Sequence, residues 1–277
     1  MIRRSLAGAW WSYFLLAWIA LFCLFPLAWM LSTSLKVFEE TYVTPPTWWP
    51  VHPTVEAYGN IWRIQSFSTY FVNSTIVAGI TTLVSLVLAS LAGYGFSRFR
   101  FAGAGSLMAF ILATQMFPGV LLVIPYFLMS SKAGLFNSYE VLIIAYTSFA
   151  LPFCVWMLKG FFDRVPRELD EAALIDGTGR FGAFVRVALP LAMPGIVATA
   201  IFSFLVAWNE FLFAVALTSS PQMYLLTVGI ASNIGQFRIQ WNDLMAGAVV
   251  ATVPIILLYG VLEGYLVEGL TAGAVKG

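Results

Sequence analysis

Few side chains in this 277-residue sequence carry groups that could react, hold a metal or cradle phosphate. The single histidine, His52, sits in a Pro/Trp-rich stretch with no second ligand near it, and Cys23 and Cys154 each lie in an apolar run. Neither pattern makes a metal site or a disulfide framework. The long apolar stretches contain two carboxylates, Glu210 and Glu263, but no histidine, no paired aspartates and no spaced Ser/Lys pair. An intramembrane enzyme needs such a constellation, so no catalytic residue and no metal ligand is expected. No G-x-x-x-x-G-K-S/T phosphate loop occurs, so the chain is not expected to bind ATP itself. The chemistry gathers in two places. Segment 163–190 carries nine charges (Asp163, Arg164, Arg167, Glu168, Asp170, Glu171, Asp176, Arg180 and Arg186), and Trp208, Asn209 and Glu210 stand in succession inside an apolar run.

The elements that must position these residues follow from composition. Hydrophobic residues make up 60%, charged residues 10%, and the mean hydropathy is +0.87. Soluble domains carry roughly 25% charged residues, so a soluble globular or disordered protein is excluded. A net charge of +1 offers no field for nucleic acid. Six stretches, 10–31, 71–96, 107–129, 141–162, 191–217 and 244–266, are near the about 20 apolar residues that cross a bilayer. None alternates with period two, which argues against a barrel. The expected fold class is an all-α integral membrane protein, one transmembrane domain over 1–277 with six transmembrane helices. The first stretch exceeds a signal-peptide core and no A-x-A site follows it, so it reads as a retained anchor. With the N-terminus inside, Lys and Arg divide ten inside against four outside, which places both termini and 163–190 in the cytoplasm. Five of the six spans contain proline, which removes a donor and bends a helix.

Residues 36–70, rich in Pro and Trp, read as an external segment along the membrane surface. Within 163–190, Asp163 or a neighbour can cap a short helix, Pro166 suits its first position, acidic residues crowd its first turns and Gly177 suits a left-handed stop. Leu169, Ala172 and Ala173 share a small face. A second run places Phe181, Phe184, Val185 and Ala188 on one side. The first helix is acidic and the inner leaflet anionic, so a protein groove is its expected partner rather than lipid.

Glu171-Ala172-Ala173, three residues, Gly177, nine residues, Val187, one residue and Leu189-Pro190 resemble the cytoplasmic "EAA" motif of bacterial ABC-importer permeases, with Val187 where the family usually has isoleucine. Ala207-Trp208-Asn209-Glu210-Phe211, Asp243-Leu244-Met245-Ala246-Gly247-Ala248 and the tail from Glu268 to Gly277 look like the second permease subunit of maltose-type carbohydrate importers. That resemblance implies a permease subunit of a binding-protein-dependent sugar importer in the bacterial inner membrane. Its implied partners are a second permease subunit, two ATPase subunits that bind ATP and Mg, an extracytoplasmic solute-binding protein, the sugar and membrane lipid, with no nucleic acid. The short acidic helix would act as the coupling helix, through Asp170, Glu171, Ala172, Ala173, Asp176 and Gly177, with the alanines against the ATPase cleft. The tail would extend into the ATPase interface.

A carboxylate inside a span costs roughly 2.5–3.5 kcal/mol, so Glu210 is expected to face the bundle interior, lining the substrate path with Trp208 and Asn209 or pairing with the partner subunit. Gly229, Ser232, Asn233, Gly235 and Gln236 would make a flexible external loop for the binding protein. The competing readings are an ABC permease for a non-sugar solute and a secondary transporter. The latter would need ion-coupling carboxylates in the membrane and leaves the acidic helix unexplained.

Overall fold

In the computed structural model, residues 6–64, 66–232, 234–235 and 239–271 are described. Their α-helices are α1 (Leu6–Ser34), α2 (Glu56–Ile64), α3 (Phe67–Arg98), α4 (Ala104–Ala113), α5 (Gly119–Ala133), α6 (Tyr139–Phe162), α7 (Arg167–Ile175), α8 (Gly179–Ala183), α9 (Leu189–Leu191), α10 (Met193–Trp208), α11 (Leu212–Leu217), α12 (Leu226–Ala231) and α13 (Trp241–Thr271). No strand longer than an isolated bridge, between Ile234 and Ile239, occurs among the described residues. Four helices, α1, α3, α6 and α13, are long and apolar enough to span a membrane alone. Two bent pairs bring the total to six if each counts as one span.

The bent pairs revise two expected spans. Stretch 107–129 is not one helix: Ala104–Met116 and Gly119–Ala133 meet at 94°. Pro118 stands at the break in an extended conformation, φ −61° and ψ 119°, and has no N–H to continue the ladder. Stretch 191–217 is also divided. Gly179–Leu191 meets Met193–Trp208 at 78°, and α11 begins only at Leu212. Pro194 therefore opens α10 from its first turn instead of bending its middle. Pro26, Pro125, Pro152 and Pro254 do lie inside helices.

The chain divides into two compact units. One, Ser68–Val228 with Pro254–Gly277, is built around α6. Ala89, Ala150, Cys154, Val155, Leu158, Phe162, Phe184, Ala188 and Ala192 form its buried cluster. Small residues set its spacing, as helix packing in lipid requires close backbone approach. A Cβ added at Gly93 would lie 2.9 Å from the Lys159 backbone nitrogen, so α3 meets α6 backbone to backbone. At Gly195, an added Cβ would fall 2.1 Å from the Phe161 ring. The pair Ala89 and Gly93, four residues apart, thus marks a real contact: Ala89 is fully buried.

The other unit is Met1–Phe67 with Gly229–Val253. The apolar window of α1 is uncovered by the protein, while its end is tied down. Ser32 Oγ donates to the Trp48 carbonyl at 2.6 Å, Ser34 Oγ pairs with the Tyr58 hydroxyl at 2.8 Å, and Lys36 Nζ donates to the Thr47 carbonyl. The buried Glu40 carboxylate accepts from Thr47 Oγ1 at 2.7 Å and the Val51 N–H at 2.9 Å. Burial raises the pKa of Glu40, but the Thr47 hydroxyl, the Val51 and His52 backbone groups and the Lys36 charge outweigh it and hold the pKa below the ordinary carboxylate value. Segment 36–64 is therefore a folded cap with exposed tryptophans, Trp48 and Trp49, on it.

Candidate functional site

Helix α7 is clamped to the ends of α3 and α6. Arg98, the last residue of α3, donates through Nε to Asp170 Oδ2, through NH1 to the Phe162 carbonyl at 2.9 Å, and through NH2 to the Val165 carbonyl at 3.0 Å. Phe162 closes α6 and Val165 lies in the turn that follows it, so the guanidinium ties down the exit of that helix. Arg167 NH2 returns the contact to the Ser97 carbonyl at 2.7 Å. Arg98 and Asp170 side chains are only 8% and 9% exposed. Beneath them the Tyr94 ring packs on Phe184 at 4.9 Å and on Phe162 at 5.6 Å. In the sequence Arg98 is one of the ten Lys and Arg residues expected on the inner side. Its signal is an arginine closing a span, with an aspartate in the first turns of α7.

The start and stop of α7 differ in their agreement with expectation. Pro166, at φ −56° and ψ 133°, is the N-cap rather than the first helical residue, and no side chain caps the start. Asp163 pairs instead with Lys159 at 2.6 Å. At the other end, Gly177 takes φ +82°. The Thr178 N–H bonds to the Ala173 carbonyl and the Gly177 N–H to the Leu174 carbonyl, both at 3.1 Å, which is a Schellman stop.

Helical spacing divides the six coupling residues. Asp170 and Ala173, three apart, are buried against the chain's own helices, whereas Glu171, Ala172, Asp176 and Gly177 are exposed. Ala173 thus does not present itself to a partner, and Leu169, at 43% exposure, does not share its surroundings. The outward surface combines these acidic groups with Ile175 (86% exposed) and Phe181 (72%). The second run also splits: Phe184 and Ala188 are buried while Phe181 and Val185 are exposed. Residues Phe184–Ala188 form a π turn, which changes the register of the face.

The second candidate region is a helix break. α10 ends at Trp208 and α11 starts at Leu212. The Glu210 carboxylate accepts the Phe213 N–H at 3.0 Å and the Ala214 N–H at 3.1 Å. It satisfies orphan donors of α11, next to the positive end of that helix. Glu210 is half-buried and Asn209 is exposed, with Asn209 Nδ2 donating to the Leu205 carbonyl at 2.9 Å. Trp208, expected on the path, is buried, stacked on Phe204 at 5.3 Å and edge-on to Phe71 at 5.7 Å. Glu263 is exposed on α13.

The expected flexible loop is only partly one. Gly229 is buried within α12, and Ser232 Oγ donates to its carbonyl at 2.5 Å. Ser232 and Gly235 are exposed. Asn233, Gln236 and tail residues 272–277 lie outside the described residues.

An apolar helical chain with a clamped, amphipathic loop helix has clear relatives. The family described as binding-protein-dependent transport system inner membrane component matches residues 85–271. This chain belongs to that family. A sulfoquinovosyl glycerol transport system permease protein of Agrobacterium fabrum is 38% identical to the permease over 92% of this chain and 89% of the relative. A trehalose/maltose transport system permease protein of Thermococcus litoralis is 36% identical over 94% of both chains. A diacetylchitobiose uptake system permease protein of Streptomyces coelicolor is 35% identical over the full length of both. Among solved structures, a bacterial ABC transporter involved in import of the acidic polysaccharide alginate superposes with a TM-score of 0.81 at 21% identity, covering 96% of this permease and all of that chain. That likeness shows the fold.

Proposed function

We propose that this permease forms half of the translocation pathway of an ATP-driven sugar importer and couples to ATPase subunits through α7. The observation that carries the sugar reading is full-length similarity to relatives named for sugar and glycoside transport, with 89–100% of each covered. The coupling reading rests on geometry. Helix α7 offers Ile175, Glu171, Ala172 and Asp176 outward, and the Arg98–Asp170 clamp ties it to α3 and α6. A partner that moves α7 therefore moves the spans with it, because the clamp leaves no slack hinge between them. ATP and Mg belong to those ATPase partners, and an external binding protein delivers the solute. Both termini and residues 163–190 face the cytoplasm. Exposed Asn209, beside the break, is the residue of the 208–210 group best placed for the solute, while Glu210 keeps the break open by capping α11.

The test is uptake by the complete transporter in proteoliposomes. ATP inside the partner compartment should drive accumulation of a neutral sugar in the presence of the binding protein. Accumulation driven by an ion gradient without ATP would overturn the reading in favour of a secondary transporter.

A further inference from the structure

In the unit of Met1–Phe67 with Gly229–Val253, one small cavity collects polar groups that the fold leaves unanswered. It measures about 230 Å³ and is walled by Trp29, Trp241 and Met245, with Thr33, Lys36 and Glu40 among its polar lining. Thr33 and Glu40 are 7% and 8% exposed. Thr33 Oγ1 and Glu40 Oε2 have no hydrogen-bond partner. The other carboxylate oxygen of Glu40 is already taken by Thr47 and Val51. Lys36 Nζ is committed to the Thr47 carbonyl and lies over the Trp29 ring at 4.7 Å from its centre.

A buried polar atom without a partner costs about 1–3 kcal/mol, so two on one cavity call for an occupant. Its chemistry is constrained. A free cation is disfavoured, because Lys36 stands on the same wall; an anion is disfavoured by Glu40. A neutral group with hydroxyls answers both orphan atoms: it donates to Glu40 Oε2 and exchanges a hydrogen bond with Thr33. The two indole walls and Met245 suit the apolar face of a ring. Size decides between a ligand and water. At about 30 Å³ per molecule, filling 230 Å³ takes roughly seven waters, against two orphan atoms and the remaining N–H groups of the Lys36 ammonium to order them. The volume also falls below the roughly 300–1,000 Å³ of pockets for larger ligands, which limits the occupant to a single ring.

We infer that this cavity is a subsite for one monosaccharide unit, separate from the 208–210 break; the inference rests on the sugar reading above. The experiment uses the complete transporter in lipid nanodiscs without its binding protein, with radiolabelled glucose, maltose and trehalose as probes. Thr33→Val removes the hydroxyl at constant shape and Thr33→Ser restores it, while Met245→Trp fills the cavity. Expected results are threefold to tenfold weaker sugar binding in Thr33→Val, binding near wild type in Thr33→Ser, and loss of binding in Met245→Trp. Thr33→Val should keep or raise the unfolding temperature, since it deletes an orphan group. Sugar binding in Thr33→Val and Met245→Trp equal to wild type would overturn the subsite and leave a water-filled cavity, with sugar uptake by the wild type intact. Absence of ATP-driven uptake of every sugar by the wild type would remove the sugar reading, and the subsite with it.

Discussion

The α7 clamp and the α10–α11 break each hold a carboxylate away from solvent, by opposite means. Asp170 is matched by a full charge, the Arg98 guanidinium, which also gathers the carbonyls of Phe162, at the end of α6, and of Val165 in the turn beyond it. Glu210 is matched by backbone N–H groups at the start of a short helix, with no cation on it. From the sequence Asp170 reads as facing a partner and Glu210 as facing the bundle interior; Asp170 is instead buried against the chain's own helices, and Glu210 is half-buried at the start of α11. The difference lies in what each would leave behind. Removing Arg98 strands a buried charge, whereas removing Glu210 leaves only uncharged N–H donors without their acceptor.

That contrast breaks most readily at Arg98. Arg98→Ala should cost about 3–5 kcal/mol, because Asp170 stays buried without its partner. A large drop in unfolding temperature and loss of uptake would be the readout, and Arg98→Lys should fall between, since one ammonium cannot serve three acceptors in a fork. The paired replacement Arg98→Met with Asp170→Leu should recover much of the stability but not of the transport, if α7 needs the polar clamp for its position. A stability loss in Arg98→Ala no larger than that in Glu210→Ala would erase the comparison.

Gly177→Val comes next. At φ +82° nothing lies within 4 Å of an added Cβ, so the cost is torsional and not steric. A β-branched residue held there should lose about 1–3 kcal/mol and abolish transport while leaving an inserted subunit. Gly177→Asn should retain more activity, because Asn tolerates the left-handed region. Normal transport by Gly177→Val would detach this turn from coupling.

At the break the effect should be smaller. Glu210→Ala should lose about 0.5–2 kcal/mol, the range for a helix N-cap, together with most uptake. Glu210→Gln should keep much of both, since an uncharged oxygen still accepts from Phe213. Equal, wild-type uptake in both variants would show that the break does not need its cap.

The smallest expected effect is at Glu40, where burial works against the hydrogen bonds that stabilise its charge. Its folded pKa lies below the unfolded one, so the unfolded chain binds more protons between the two values. The contribution is therefore complete above the unfolded pKa and is lost as pH falls through the folded one. The difference in unfolding temperature between wild type and Glu40→Gln should narrow as the pH is lowered through the acid range. A difference that widens on acidification would contradict the assigned sign.

What the sequence determined by itself was the solvent and the local signals. Ten per cent charge leaves no alternative to lipid, and the left-handed stop at Gly177 was legible because only the φ preference of one residue is involved. The Ala89 and Gly93 spacing was visible but undecided, since small residues four apart arise by chance in so apolar a chain. Tertiary structure decided which apolar helices are covered. The apolar windows of α1 and α6 have nearly equal hydropathy, 2.3 and 2.1, yet 0% of one and 50% of the other is buried. Hydropathy measures transfer out of water, and in a bilayer lipid and protein are equally good destinations. The fates of Asp170, Glu210 and Trp208 were likewise hidden. A carboxylate carries no mark of whether it will meet a distant arginine, the start of the next helix or a partner, because that choice depends on the side chains and backbone groups folding brings beside it.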